Sequence, residues 1–236
     1  MEKKQKAKEY SKKEEIYKLY SSTTKYYYND IQLNLTIKKN NPKFIIRVGD
    51  MFEIAKEFKK PVIHNFANNE YQGGPLASFT PDGNFISISD NGTTQEDQLI
   101  KRYRDKIILP KKYYSIIAND NIALLYSYCQ ELPPIITLPS IIKPNFKKKK
   151  IIDSMLKRLE LLMYICCQND NTLITGLWGC GAFGMEPQEL ANLWKHAFIN
   201  FNNKPVDIVF VIYQDEYTKK YDNITDLFSG ISSNNY

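Results

Sequence analysis

Histidine is nearly absent from this 236-residue chain: only His64 and His196 occur. The four cysteines, Cys129, Cys166, Cys167 and Cys180, include no C-x-x-C pair, and neighbouring Cys166 and Cys167 cannot join in an ordinary disulfide. No zinc site is therefore expected, and no metal at all. A disulfide framework is not expected either, which points to a reducing compartment. The N-terminus lacks an apolar leader, and no apolar run approaches the roughly 20 residues that span a bilayer. A soluble protein without a membrane partner, cytoplasmic or otherwise intracellular, is expected. No internal repeat is visible.

What is abundant is aromatic and basic. The sequence has 17 Tyr and 12 Phe, 43% hydrophobic residues, a formal charge of +6 and a pI near 8.9. These totals suit one sizeable globular core. Much of the positive charge lies in two lysine-rich runs, at 1–15 and 147–150. A solvated lysine face explains them, and they stand apart from any aromatic platform, so direct binding of nucleic acid is not expected.

Patterning predicts a mixed α/β chain. Residues 1–20 read as an exposed helix and 26–39 as an alternating strand, and we take 1–40 as an extension packed on a core spanning 41–236. Within that core "KFIIRVGD", "PVIHNFA", "TLITG" and "VDIVFVIYQD" read as strands, the last nearly continuously apolar, as when both sheet faces are covered. "MFEIAKEFKK", 151–167 and "EPQELANLWKHAFINF" carry helical spacing, with Pro187 in a first turn where its missing N–H costs little. "DGN" and "NGT" mark turns around a short strand. "TTQEDQL" opens another helix, with Thr94 as cap and Asp97 at the third position of a capping box. The prediction is one α/β domain with parallel neighbours joined by right-handed crossovers.

Three segments carry polar chemistry. "HNFANNEYQGGP" ends a strand with Asn68 and Asn69, which donate and accept as sugar hydroxyls require. Its Gly73 and Gly74 allow close backbone approach. "GLWGCGAFG", 176–184, places four glycines between a strand and a helix start, where successive amides and the helix end can cradle a diphosphate; Phe183 can press on a ribose or base. "QED" supplies Gln95 and adjacent carboxylates, Glu96 and Asp97, the residue type that protonates a leaving oxygen or steadies an oxocarbenium-like ribose. Taken alone, the plainer reading has Asp97 completing a capping box and Glu96 facing water. His64, on an apolar strand, reads as a hydrogen-bonded interior residue, and Cys180 as a small buried side chain.

In this order the three segments resemble the microbial-type poly(ADP-ribose) glycohydrolase catalytic domain, a macrodomain relative. The similarity covers roughly 44–215. "NFAN" resembles the family's strand end, "QGGP" its proline and three-glycine run, "QED" its Gln-Glu-Glu, and "GLWGCGAFG" its G-x-W-G-C-G-x-F-G loop. The resemblance implies a macrodomain-like three-layer α/β/α sandwich with a mixed sheet of six or seven strands, no cofactor, and ADP-ribose held at the strand ends. It implies that Asp50 reads the adenine amino group and that Asn68 contacts the distal ribose, with Asn69 and Gln95 also among the substrate-binding residues. Gly73 and Gly74 would hold ribose and phosphate, and Gly179, Gly181, Ala182, Phe183 and Gly184 would lie over the diphosphate. The catalytic acid falls on Asp97, with the adjacent Glu96 as the second catalytic candidate.

The sequence departs from the family at three points. Asp97 is one methylene shorter than glutamate, Pro75 replaces the third glycine, and 76–94 is a longer spacer. The expected activity is hydrolysis of an ADP-ribosyl glycosidic linkage, releasing ADP-ribose from protein or polymer; an ADP-ribosylated nucleic acid is not ruled out as substrate. The departures keep a second possibility open, an ADP-ribose-binding reader without turnover. A monomer is expected.

Overall fold

The computed structural model describes residues 23–33, 40–68, 77–79, 85–89, 94–103, 122–126, 133–141, 148–214, 218–220 and 223–231. Nine strands fall among them. Seven form one sheet, in the order β1 (Thr24–Tyr27), β6 (Ile122–Tyr126), β7 (Ile135–Thr137), β3 (Pro61–Asn65), β8 (Thr172–Gly176), β9 (Ile208–Ile212), β2 (Phe44–Val48). From β7 to β2 every neighbour is parallel, whereas β6 and β1 run antiparallel at the other edge. The central strands are buried at every residue of β8 and β9, which is why their sequences show no polar alternation. Edge strand β2 is only half buried and turns Arg47 and Val48 outward.

Helices cover both faces. On one face lie α1 (Tyr28–Leu33), α4 (Lys148–Gln168), α5 (Pro187–Asn200) and α6 (Ile224–Ser229). Here α4 contributes Met155, Leu159, Leu162 and Cys166, all fully buried, at the three-and-four spacing of one helical face. An aromatic stack closes this layer: Phe210 and Phe228 lie 4.1 Å apart, and Phe44 meets Trp194 edge-on at 5.9 Å. On the opposite face sit α2 (Met51–Ala55) and α3 (Gln95–Tyr103). Their Phe52, Ile54, Leu99 and Ile100 pack over Ile63, Ile174 and Val209. The result is a three-layer α/β/α sandwich around a mixed sheet.

Most helix and strand expectations fall where the pattern placed them, but 26–39 does not form one strand. β1 ends at Tyr27 and the chain turns directly into α1. That turn lets Ile31 enter the helical layer and Tyr28 donate to Glu160 Oε2 at 2.6 Å, burial that a continued edge strand could not supply. The predicted N-terminal helix lies outside the described residues, as do Asn69, Gly73, Gly74 and Pro75. Part of the 76–94 spacer is an antiparallel pair, β4 (Ala77–Phe79) with β5 (Phe85–Ile88). Its Ala77 and Ile88 pack beside α3 on the second core cluster.

Candidate functional site

Strands β2, β3, β8 and β9 run parallel and all end on the same side of the sheet, and the crossover from β2 to β3 runs across it in the opposite direction to that from β7 to β8. Ligands in open α/β sheets sit beyond such strand ends. Here the ends of β2, β3, β8 and β9 and the start of α3 enclose a cleft of about 600 Å³. Asp50, Asn68, Gln95, Glu96 and Asp97 line it, and so do Gly179, Gly181, Ala182 and Phe183. The fold thus brings together residues more than a hundred positions apart. Gly184 is not among the residues lining the cleft; its N–H donates to Gly181 O at 3.0 Å.

The start of α3 determines what the two carboxylates do. Thr94 donates to Asp97 Oδ2 through both N (2.9 Å) and Oγ1 (2.7 Å), while Asp97 N donates back to Thr94 Oγ1 at 3.1 Å. This is the capping box read from the sequence. Asp97 Oδ1 takes no hydrogen bond from any described residue, so one oxygen of a carboxylate only 2% exposed is left uncommitted in the cleft wall. Glu96 does not face water as expected; it is equally buried. Its Oε2 accepts from Asn68 N at 3.0 Å and its Oε1 from Asn65 Nδ2 at 3.4 Å. A first-turn side chain can reach these groups because α3 leans over the end of β3. Gln95 locks that lean: Oε1 accepts from Phe66 N at 2.9 Å, and Nε2 donates to His64 O at 3.2 Å.

The glycine loop supplies donors without charge. Trp178 N bonds Gly176 O, Cys180 N bonds Leu177 O, and Met185 N bonds Gly179 O, so the loop is braced by its own backbone. The N–H groups of Gly181, Ala182 and Phe183 bond no described residue. Successive unpaired amides of this kind are the donors that anion-binding concavities use. The helix end contributes less than expected, because Glu189 Oε2 already faces the Glu186 N–H at the start of α5. The sequence contained an unread signal here: Gly179, Gly181 and Gly184 stand in G-x-G-x-x-G spacing. Gly179 and Gly184 have φ of +85° and +75°, a region that L side chains rarely adopt.

At the far end of the cleft, Asp50 caps α2, its Oδ1 accepting from Phe52 N (2.9 Å) and Glu53 N (3.2 Å). Arg102, at the end of α3, donates through Nη2 to the other oxygen, Oδ2. Sequence reading missed Arg102, and it also missed Phe66, Tyr213 and Thr218 on the cleft wall. Phe66 was legible as the residue following a buried strand; the others follow only from tertiary neighbours.

Two titratable groups near the cleft are structural. His64 is fully buried between Thr175 Oγ1 (3.1 Å) and Leu138 O (3.0 Å). Burial pushes its pKa down to about 3, so it is neutral at pH 7. Burial and the nearby Glu186 and Glu189 push the Cys180 thiol up to about 12, which leaves no thiolate to act as a nucleophile.

No family model and no curated protein sequence matches this chain. Solved structures do. Poly(ADP-ribose) glycohydrolase from Deinococcus radiodurans in complex with ADP-ribose matches with a TM-score of 0.64 at 15% identity, covering 90% of this chain and 95% of that one. The enzyme from Thermomonospora curvata matches with a TM-score of 0.63 at 13% identity, covering 92% and 88%. Its complex with the inhibitor ADP-HPD gives a TM-score of 0.57 at 14% identity. The strand order, the two helical layers and these superpositions agree: the chain has the macrodomain-like fold of the poly(ADP-ribose) glycohydrolases.

Proposed function

We propose that the cleft binds ADP-ribose and that the protein hydrolyses an ADP-ribosyl glycosidic linkage. The observation that carries this reading is the uncommitted Oδ1 of Asp97, which shares a cleft wall with the open amides of Gly181, Ala182 and Phe183. In the reaction, water adds at the anomeric carbon of the distal ribose as its bond to the leaving oxygen or nitrogen breaks. Asp97 Oδ1 gives the proton to the leaving atom or orders the water, while Oδ2 stays anchored to Thr94. The loop amides hold the diphosphate without a basic side chain. Glu96 acts through its grip on the Asn68 backbone, keeping the ribose wall of the cleft at a fixed distance from Asp97.

Incubation with poly(ADP-ribose) and with ADP-ribosylated protein is expected to release ADP-ribose, detected by chromatography. Asp97→Asn is expected to abolish release while calorimetry still shows ADP-ribose binding. Turnover by that variant equal to wild type sinks the catalytic role of Asp97. The capping box favours one alternative, a reader: with Oδ2 held back by Thr94 on an already short side chain, binding could survive without chemistry. ADP-ribose binding by the wild-type protein with no release from either substrate assigns that function instead.

A further inference from the structure

We infer that Arg102 is a specificity-determining positioning residue for the nucleobase end of the cleft, acting through Asp50. The inference rests on the proposed binding of ADP-ribose, taken with the adenine amino group at Asp50 as the family resemblance implies. A carboxylate has about four lone-pair directions. Asp50 Oδ1 spends its capacity on the N–H groups of Phe52 and Glu53, and Arg102 Nη2 takes one direction of Oδ2. One direction on Oδ2 is left for an incoming donor, and the guanidinium decides where it points. Arg102 is itself fixed by two further contacts. Its Nη1 lies 3.7 Å from Glu53 Oε1, and its Cζ sits 5.1 Å from the centre of the Phe52 ring, whose side chain also lines the cleft.

The placement has a further consequence. Helix α3 carries Gln95, Glu96 and Asp97 in its first turn and Arg102 in its last. One rigid element therefore sets both ends of the cleft, and the distance between base and scissile bond is fixed by helix length. A lone acceptor direction on a positioned carboxylate selects a base bearing an exocyclic amino group. A base with a carbonyl there meets an acceptor facing an acceptor, an arrangement that leaves polar groups unpaired and is strongly disfavoured.

The test is calorimetry on the full chain with three ligands: ADP-ribose, its hypoxanthine counterpart in which a carbonyl replaces the amino group, and ribose 5-phosphate. Wild type is expected to prefer ADP-ribose over the hypoxanthine form. Arg102→Ala is expected to weaken ADP-ribose about tenfold, as loss of an interaction with a charged group does, to erase most of that preference, and to leave ribose 5-phosphate unchanged. Because Arg102 acts through Asp50, Arg102→Ala added to Asp50→Ala should cost nothing more. Unchanged preference in Arg102→Ala, or equal loss on all three ligands, overturns the inference. Additive losses in the double variant also overturn it. Failure of wild type to bind ADP-ribose overturns the underlying reading of the cleft, and with it this inference.

Discussion

Replacing Gly179 with alanine tests how the cleft loop is held. Gly179 has φ +85°, and an added Cβ would stand 2.3 Å from Ser140 Oγ and 3.2 Å from Ser140 Cβ. Ser140 cannot simply swing away, because it is 3% exposed and its hydroxyl is turned to Met155 Sδ at 3.5 Å. The left-handed backbone costs an L residue about 1–2 kcal/mol, and the overlap adds about 1–3 kcal/mol. A total of about 2–5 kcal/mol should lower the melting temperature of a chain this size by roughly 4–20 °C. Three companions separate the two costs. Gly184→Ala, with φ +75° and open space around its Cβ, should show only the backbone part. Gly181→Ala, with no positive φ and nothing within 4 Å, should stay within about 0.5 kcal/mol of wild type. Gly179→Ala combined with Ser140→Ala should regain much of the steric part. Thermal and urea unfolding read all four, and a Gly179→Ala protein as stable as Gly181→Ala refutes the account of the loop.

Two other outcomes follow from the site. Thr94→Val removes a donor to Asp97 Oδ2 and the acceptor for Asp97 N; it should cost about 1 kcal/mol of stability, as lost N-caps do, and lower kcat more than it raises KM. Thr94→Ser should restore both, and a Ser variant no better than Val removes Thr94 from the positioning of Asp97. His64 makes folding sensitive to acid. Its folded pKa, near 3, lies below the unfolded value near 6.5, so the unfolded chain binds the extra proton between those two pH values. Stability attributable to His64 is therefore intact above pH 6.5 and falls on acidification at roughly 1.4 kcal/mol per pH unit until about pH 3. Urea unfolding across pH 4–7 should show that slope flattened in His64→Gln, and equal slopes in the two proteins refute it.

Much of the fold was legible because its signals are local. The buried runs of β8 and β9 follow from the apolar continuity of "LITG" and "IVFVI", and α4 from its three-and-four spacing. The Thr94–Asp97 capping box links residues three apart and could be read directly from "TTQED". The reading failed where two local patterns competed. The segment from Tyr26 alternates well enough for a strand, yet contact with Glu160, 132 residues away in sequence, makes helix α1 from Tyr28. β6, which received no sequence assignment, takes its place from antiparallel pairing with β1 and β7 at the sheet edge.

The sequence by itself determined the alternation of strands and helices, the glycine loop and its donors, and the carboxylates at a helix start. Each of these is set by backbone conformation within a few residues. Only the tertiary structure decided which carboxylate oxygen is uncommitted, because that depends on how α3 leans on β3: Glu96 turns inward to Asn65 and Asn68, about thirty residues earlier in the chain. Only the tertiary structure joined Arg102 to Asp50, across 52 residues. Charge and hydrogen-bonding partners at long sequence separation depend on how layers pack, and no local pattern in the chain records them.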